Sequence, residues 1–454
     1  MFDVGCSLVS YWVKKVVFQV SGQASTYNPL NPPMQAFIGF KDALDLTLSN
    51  VSVGKTEFLP LSRLTGKILA EDAVAKVDCP SVSSSRKDGY AVVSSDVSEA
   101  CSQAPVTLKV VGSLVAGSSR DLNIKRGQAV RITTGAPLPG GADAVLSEEF
   151  CRREKNAIIA HNTAEAGRNI HVRGRDIRRG ETVAEKGGKL TPARIGLLAA
   201  AGLDGALVYK SPRVSVIATG DEVVLPGEPL RKGQLYASNM VTLCAWLTLM
   251  GLEYTAQRVS DRKEDLEHAI TTILPDVDAI LTSGGAWGSE RDLILDVAQS
   301  LNWQGIYHRV RMGPGKPVGF GLVDQKPFFC LPGGPPSNEM AFLQLAIPAL
   351  LKLKGDHPVF FPVAPARLAE TVKGKNDWTE FVHARPEYRQ NELWVYPSRL
   401  KSSLQSMALK EALIVIPEDR EKIDAGEMVD IQLLTPFAFS HIAAPPIAQV
   451  QFHN

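Results

Sequence analysis

The spacing of apolar positions changes character several times along the chain, and each change marks an element or a domain. Over 36–72, Phe40, Ala43, Leu44 and Leu48 recur at helical spacing and a second apolar run reaches Ile68; both are expected to be helical. Over 73–180, short β-rich runs, 106–111 and 129–133 among them, alternate with Gly, Pro and Ser, the pattern of a small β-domain. Residues 191–201 read as a helix with Thr191 as N-cap, Pro192 in its first turn and Gly202 past its end. That helix is expected to pack back on the first helices.

From Arg213 to Gly355, strand and helix signals alternate. A strand at 214–218 precedes a helix at 240–250 that stops at Gly251. A strand at 253–259 leads to a helix opened by Asp261-x-x-Glu264, a capping-box pattern, with Leu266, Ile270 and Leu274 on one face. A strand at 277–281, a helix at 291–301, a less regular stretch, a strand at 328–331 and a helix at 338–353 complete the segment. This alternation predicts an open, mainly parallel sheet with helices on both faces. Beyond it, runs around Phe361 and at 378–382, 393–396, 412–416 and 428–434 are separated by turns, which predicts a small β-barrel or sandwich.

The fold class is therefore multidomain, α/β plus β. The expected units are an N-terminal extension at 1–33, a discontinuous helical/linker domain at 34–72 and 181–212, a β-rich domain at 73–180, a central α/β domain at 213–357, a C-terminal β-barrel at 358–436 and a weakly structured tail at 437–454. A length of 454 residues far exceeds one typical core. In the extension, 8–20 is apolar but carries Lys14 and Lys15 and is too short to span a bilayer. Met34 opens a more ordinary stretch and is a candidate start.

Composition narrows the function. A formal net charge of +1, with 44% hydrophobic and 21% charged residues, provides no field that would favour nucleic acid or an acidic membrane. The six cysteines show no metal-binding spacing and the eight histidines no ligand cluster, which argues against zinc and for a reducing cytoplasm. Any anion affinity must be local.

In an open α/β sheet, ligands bind outside the carboxyl ends of the strands. Three glycine-rich loops take that position: Thr219-Gly220-Asp221-Glu222, Thr282-Ser283-Gly284-Gly285, and Pro332-Gly333-Gly334-Pro335-Pro336-Ser337. Glycines let the backbone approach a ligand, and a following helix offers N–H groups, so phosphate or another oxyanion is the expected ligand. A fourth loop, Gly313-Pro314-Gly315-Lys316-Pro317, carries one cation, suited to phosphate. Asp292 either caps a helix, as Ser289-x-x-Asp292, or binds Mg2+ beside an anion; Asp221 and Glu222 pose the same choice. On composition alone, Asp88-Gly89, Thr134-Gly135-Ala136-Pro137 and Arg173-Gly174-Arg175-Asp176 are turns or solvated loops.

Taken in order, however, Asp88-Gly89-Tyr90-Ala91, Thr134-Gly135-Ala136-Pro137, Arg173-Gly174-Arg175-Asp176-Ile177, Thr219-Gly220-Asp221-Glu222, Thr282-Ser283-Gly284-Gly285, Pro314-Gly315-Lys316-Pro317 and Leu331-Pro332-Gly333 form a specific series. From Met34 to Leu434 the chain resembles the molybdopterin molybdenumtransferase family, the MoeA proteins and the gephyrin E-domain. The resemblance implies an elongated homodimer of four-domain subunits. It also implies a reaction in which adenylylated molybdopterin and molybdate react with Mg2+, and AMP and molybdenum cofactor leave. It assigns catalytic roles to Asp88, contributed by the other subunit, and to Glu222, Asp292 and Lys316. It assigns substrate contacts to Thr134, Asp176, Thr219, Gly220, Asp221, Ser283, Gly284, Gly285, Gly315, Pro332, Gly333 and Ser337. Asp292, Glu222 and Asp221 are the expected metal ligands. Small molecules are the expected partners, with transient contacts to other cofactor-biosynthesis proteins or acceptor molybdoenzymes, and no nucleic acid or membrane.

Several positions depart from the family pattern. Lys87 replaces a methionine, Arg175 an acidic residue, Gly313 a lysine or arginine, and Gly334 an asparagine, while Gly285-Ala286-Trp287 replaces Gly-Gly-Val. The retained acids favour an active insertase for molybdate or tungstate. Gly313 and Gly334 favour an altered paralogue that binds or carries the pterin.

Overall fold

In the strand Arg213–Thr219, every residue after the first is buried, so this strand must be covered on both faces. Val214, Val216 and Ala218 join one apolar core, and Ile217 joins another. The first core receives Leu243 and Leu247 from the helix Ser238–Leu249. The second receives Leu266 and Ile270 from Lys263–Ile273, and Ile294 and Val297 from Leu293–Ser300. Each such fully buried side chain contributes about 1.5–3 kcal/mol. The computed structural model describes residues 34–284, 293–357, 360–389 and 391–434. The expected extension and tail lie outside them.

The sheet runs Glu253–Val259, Arg213–Thr219, Ala279–Ser283, Lys326–Leu331, Gly319–Val323, Gln304–Gly313. The first four strands are parallel. The last two form an antiparallel hairpin within the stretch expected to be irregular. The sheet is thus mixed. A register shift between Gly305 and Tyr307 and a left-handed Arg309 (φ +58°) break the alternation there, which hid the strand from the pattern.

The start of the described chain also differs from expectation. Gln35–Gly39 is a strand parallel to Gln304–Gly313, and the helix Phe40–Ser49 packs on the α/β core through Ala43. The Thr47 hydroxyl and the buried Tyr307 hydroxyl are 2.7 Å apart. The second expected helix is reduced to one 3-10 turn at Leu61–Arg63. Thr56–Pro60 is a strand paired with Gly205–Tyr209, because Leu59 and Val208 share a small core. The helix Pro192–Ala200 buries Leu198 in that core, so it packs on this strand pair. Its Thr191 hydroxyl accepts from the Arg194 N–H, as expected of an N-cap. Thr191→Ala is expected to cost about 1 kcal/mol, measurable by urea denaturation.

The β-rich region is a six-stranded sheet in the order Ala144–Ser147, Gly89–Val92, Gln128–Ile132, Val106–Leu114, Ala157–Ala160, Cys151–Arg153. At the C-terminus, Thr379–Arg389, Glu392–Pro397, Val363–Leu368, Met428–Leu433 and Ala412–Ile416 pair in turn, and the last pairs back on the first. That closure makes a barrel and decides against a sandwich. A buried ion pair seats the barrel on the α/β unit: Lys410 Nζ lies 2.6 Å from Glu339 Oε2, with side chains 4% and 5% exposed. Trp246 Nε1 donates to the other Glu339 oxygen at 2.8 Å.

Candidate functional site

The register places three of the four glycine-rich loops side by side. Ala218 is opposite Ser283, and Ser283 is opposite Leu331, so the chain leaves each strand at the same end of the sheet. Gly284 makes the first two loops touch. Its φ is +112°, and a Cβ there would stand 2.2 Å from the Thr219 carbonyl oxygen. Glycine alone permits that approach. The third loop is joined by Asn338, which is 1% exposed. Its Nδ2 donates to Ser283 Oγ at 2.9 Å and to the Pro332 carbonyl at 2.7 Å. Asn239 Nδ2 adds a bond to the Gly333 carbonyl at 2.8 Å. Asn338 and Asn239 were not singled out in the sequence, because nothing local shows that a helix residue bridges two loops. Asn338→Ala leaves two buried acceptors without their donor and is expected to cost about 1–3 kcal/mol, read by thermal denaturation.

The first loop has no helix terminus to offer an anion, contrary to expectation. No helix follows Glu222 directly; Val223–Val224 pairs with Leu235–Tyr236, and the helix begins at Ser238. Asp221 and Glu222 therefore cap nothing. Asp221 Oδ1 accepts from the Asp261 N–H at 3.3 Å, and the Glu222 carboxylate folds toward Gly220. Asp261 does not cap its helix either; it accepts the buried Thr219 hydroxyl, and Arg262 occupies the N-cap position. In the third loop the helix does start at once, at Pro335. Pro335 and Pro336 lack N–H groups, and the Asn338 N–H is spent on the Gly334 carbonyl. That terminus offers an anion fewer donors than its position suggests. Ser337 lies half-buried in its first turn.

Lys316 sits at the same end of the sheet, since Gly319 is opposite Cys330. Its Nζ stands 5.3 Å from the Phe37 ring centre and 5.8 Å from that of Trp378. Gly315 has φ +128° and lies against Met312. At Gly313 a Cβ would stand 2.1 Å from a Glu380 carboxylate oxygen. A carboxylate thus faces the position where the resemblance leads one to expect a cation. Burial pushes the Glu380 carboxyl upward, and Lys375 opposes this in part. Arg311 donates to the carbonyls of Phe37 and Asp377.

The β-rich motifs form a second group. Asp88 Oδ1 accepts from the Thr134 N–H at 2.7 Å and the Thr134 hydroxyl at 2.9 Å. Those bonds hold the Asp88 carboxyl below its ordinary value. Ser84–Ser85 pairs with Ile170–His171 on one side. On the other, Ser85 exchanges backbone bonds with Gly135 and Ala136. Asp176 Oδ2 lies 3.0 Å from His171 Nε2. The three motifs read as separate turns therefore converge. Among the described residues, no hydrogen bond or ion pair joins this group to the α/β loops. Gly285, Trp287 and Asp292 lie outside the described residues.

For Mg2+, no group of three or more His, Cys, Asp or Glu side chains is gathered among the described residues. Mg2+ needs only one or two carboxylates when a substrate supplies phosphate oxygens. The exposed neighbours Asp221 and Glu222 fit that donor set. No described helix is long and apolar enough to cross a membrane.

A model of the MoeA N-terminal region (domains I and II) matches 38–202, a probable molybdopterin-binding domain matches 215–352, and the MoeA C-terminal region (domain IV) matches 365–434. A molybdopterin molybdenumtransferase of Haemophilus influenzae is 32% identical over 385 residues, covering 83% of this chain and 94% of that protein. Molybdopterin molybdenumtransferase 2 of Mycobacterium tuberculosis is 32% identical over 383 residues, covering 83% and 95%. The crystal structure of a molybdopterin biosynthesis moeA protein from Pyrococcus horikoshii superposes with a TM-score of 0.79 at 32% identity, covering 88% of this chain and 99% of that one.

Proposed function

The chain belongs to the molybdopterin molybdenumtransferase family, transferases of molybdenum cofactor biosynthesis, and from that premise we propose that it inserts molybdate into adenylylated molybdopterin with release of AMP. The observation that carries the proposal is the loop floor fixed by Gly284 against Thr219 and by Asn338 across Ser283 and Pro332. It presents backbone and Ser283 at the carboxyl end of parallel strands, with Lys316 at the same end. Such a floor holds a phosphate-bearing pterin and an oxyanion side by side.

In the first half of the reaction, water adds across the phosphoanhydride, giving AMP and molybdopterin phosphate. In the second, the dithiolene sulfurs displace one molybdate oxygen, which leaves with the two sulfur protons as water. Molybdenum stays hexavalent throughout. Asp221 and Glu222 would hold Mg2+, which supplies charge neutralisation at the pyrophosphate oxygens. Lys316 holds the anion as a point charge. Asp88, fixed by Thr134, faces the cleft from the other subunit of a homodimer, and Asp176 lines the same side. Asp292 joins the acidic set. The reaction is assigned to the cytoplasm, with product passed to acceptor molybdoenzymes.

One observation favours a second reading. With Glu380 against Gly313, the anion loop has lost a cation and faces a carboxylate, which suits a protein that binds the pterin without turning it over. Purified protein mixed with adenylylated molybdopterin, Mg2+ and molybdate distinguishes the two. The insertase reading expects AMP release that requires both molybdate and the protein. Tight pterin binding with AMP at background would establish the carrier.

A further inference from the structure

We infer that Phe37 and Trp378 are positioning residues for Lys316: their rings form a seat that holds its ammonium at the loop end of the α/β sheet, ready for an anion. The identity of the anion, molybdate, rests on the insertase reading; the seat itself rests on geometry.

The parts of the seat are far apart in sequence, and backbone pairing brings them together. Phe37 lies in the strand Gln35–Gly39, which runs parallel to Gln304–Gly313. Beyond it, Met312 is opposite Thr379 and Gly313 is opposite Glu380, which places Trp378 at the end of the same strand. The two rings meet edge to face with centres 5.9 Å apart. Lys316 Nζ is shared between them, at 5.3 Å and 5.8 Å from their centres. Both distances fall within the range of about 6 Å over which a ring attracts a cation.

Arg311 ties the two rings to each other. Its Nη1 donates to the Phe37 carbonyl at 2.8 Å, and its Nε donates to the carbonyl of Asp377, the residue before Trp378, at 3.0 Å. Phe37 and Asp377 are both left-handed, with φ of +57° and +60°. That conformation is unfavourable for a bulky residue and persists only where its surroundings over-determine it. Glu418 adds to the hold. Its carboxylate accepts from the Phe40 N–H at 2.9 Å, and its carbonyl accepts from the Asp377 N–H at 3.0 Å.

Lys316 is exposed, and among the described residues its side chain makes no hydrogen bond or ion pair. Lys375 Nζ lies 3.8 Å from the Trp378 centre, and the Arg311 guanidinium carbon lies 5.9 Å from that of Phe37. Three cations thus converge on two rings, whose π-systems offset the repulsion between them. A lysine seated on rings keeps its charge available to an incoming anion. It has also given up part of its rotamer freedom beforehand, which lowers the entropy cost of binding.

The test uses the full chain with molybdate as the probe. By titration calorimetry, Trp378→Leu is expected to weaken molybdate binding about threefold, and Phe37→Leu combined with Trp378→Leu about tenfold. Trp378→Phe keeps a ring and is expected to stay close to wild type. A second readout sees the seat directly. With 13C-labelled lysine, the Lys316 ε-methylene signal, assigned by its loss in Lys316→Met, is expected upfield of lysines that face no ring, and to join them in the double leucine variant. A merely structural role for the rings would not shift that signal. An unshifted signal in the wild type, unchanged affinity in the double leucine variant, or equal losses in Trp378→Leu and Trp378→Phe overturns the inference. Molybdate binding and AMP release by a wild type with an unshifted Lys316 signal sink this inference alone. A shifted signal and ring-dependent molybdate binding without AMP release sink the insertase reading and leave the seat standing. No molybdate binding by the wild type overturns both.

Discussion

Asp88→Asn is expected to slow AMP release by at least about a hundredfold, the scale for removing an electrostatic element of a phosphoryl-transfer site, without unfolding the protein. Both Thr134 donors reach the same Asp88 oxygen, and an asparagine keeps an acceptor there. The variant loses the charge and retains the anchor. The Thr134 bonds hold the carboxyl below its ordinary value, which fixes the sign of the pH effect. A depressed folded value means the contribution of this carboxylate is present above the unfolded value, near 3.9. It is lost only as pH falls through the lower folded value. The ratio of wild-type to variant rates should therefore stay flat between about pH 5 and 8. A ratio that changes steeply in that window would show that Asp88 is not the ionised group in question.

The second large effect is on the loop floor. Gly284→Ala meets two obstacles, a φ of +112° and a carbonyl oxygen 2.2 Å from the new methyl carbon. Neither can be relieved by rotating a side chain, because the oxygen belongs to the Thr219 backbone. The strand ends must part, at an expected cost of about 2–4 kcal/mol. Gly334 provides the contrast. A methyl there meets nothing within 4 Å, and its φ of −71° suits any residue, so Gly334→Ala should stay within about 0.5 kcal/mol of wild type. Urea denaturation of both variants, with pterin binding measured alongside, checks the pair. Equal stability of the two would remove Gly284 as the element that joins the loops.

The same contrast explains what was legible in the sequence. Gly284 and Gly334 look alike in a glycine-rich loop, and only the packing separates a required glycine from a permitted one. The strand Glu253–Val259 and the helix Pro192–Ala200 were readable because their signals are local: a β-rich run before a capping pattern, and Thr191 with Pro192. The hairpin through Gln304–Gly313 was not, because a bulge and Arg309 interrupt its period. Thr56–Pro60 is not legible as a strand because Leu59, Leu61 and Leu64 follow one another closely enough to suggest a helix, while its partner Gly205–Tyr209 lies far along the chain. Topology alone predicts that the three glycine-rich loops share the carboxyl end of the parallel strands, and the register has them there. The first of them has no adjoining helix to lend N–H groups, since the next helix starts only at Ser238. Asn338, Asn239 and Glu380 act across long sequence separations, and no local pattern marks them.

The most direct measurement of the central proposal is the product. Wild-type protein, adenylylated molybdopterin, Mg2+ and molybdate are incubated, and the mixture is added to a cofactor-free molybdoenzyme whose activity then reports finished cofactor. Activity is expected to depend on molybdate and on this chain, and to be lost with Asp88→Asn. No activity above a protein-free control, despite full occupancy of the chain by the pterin, would contradict it.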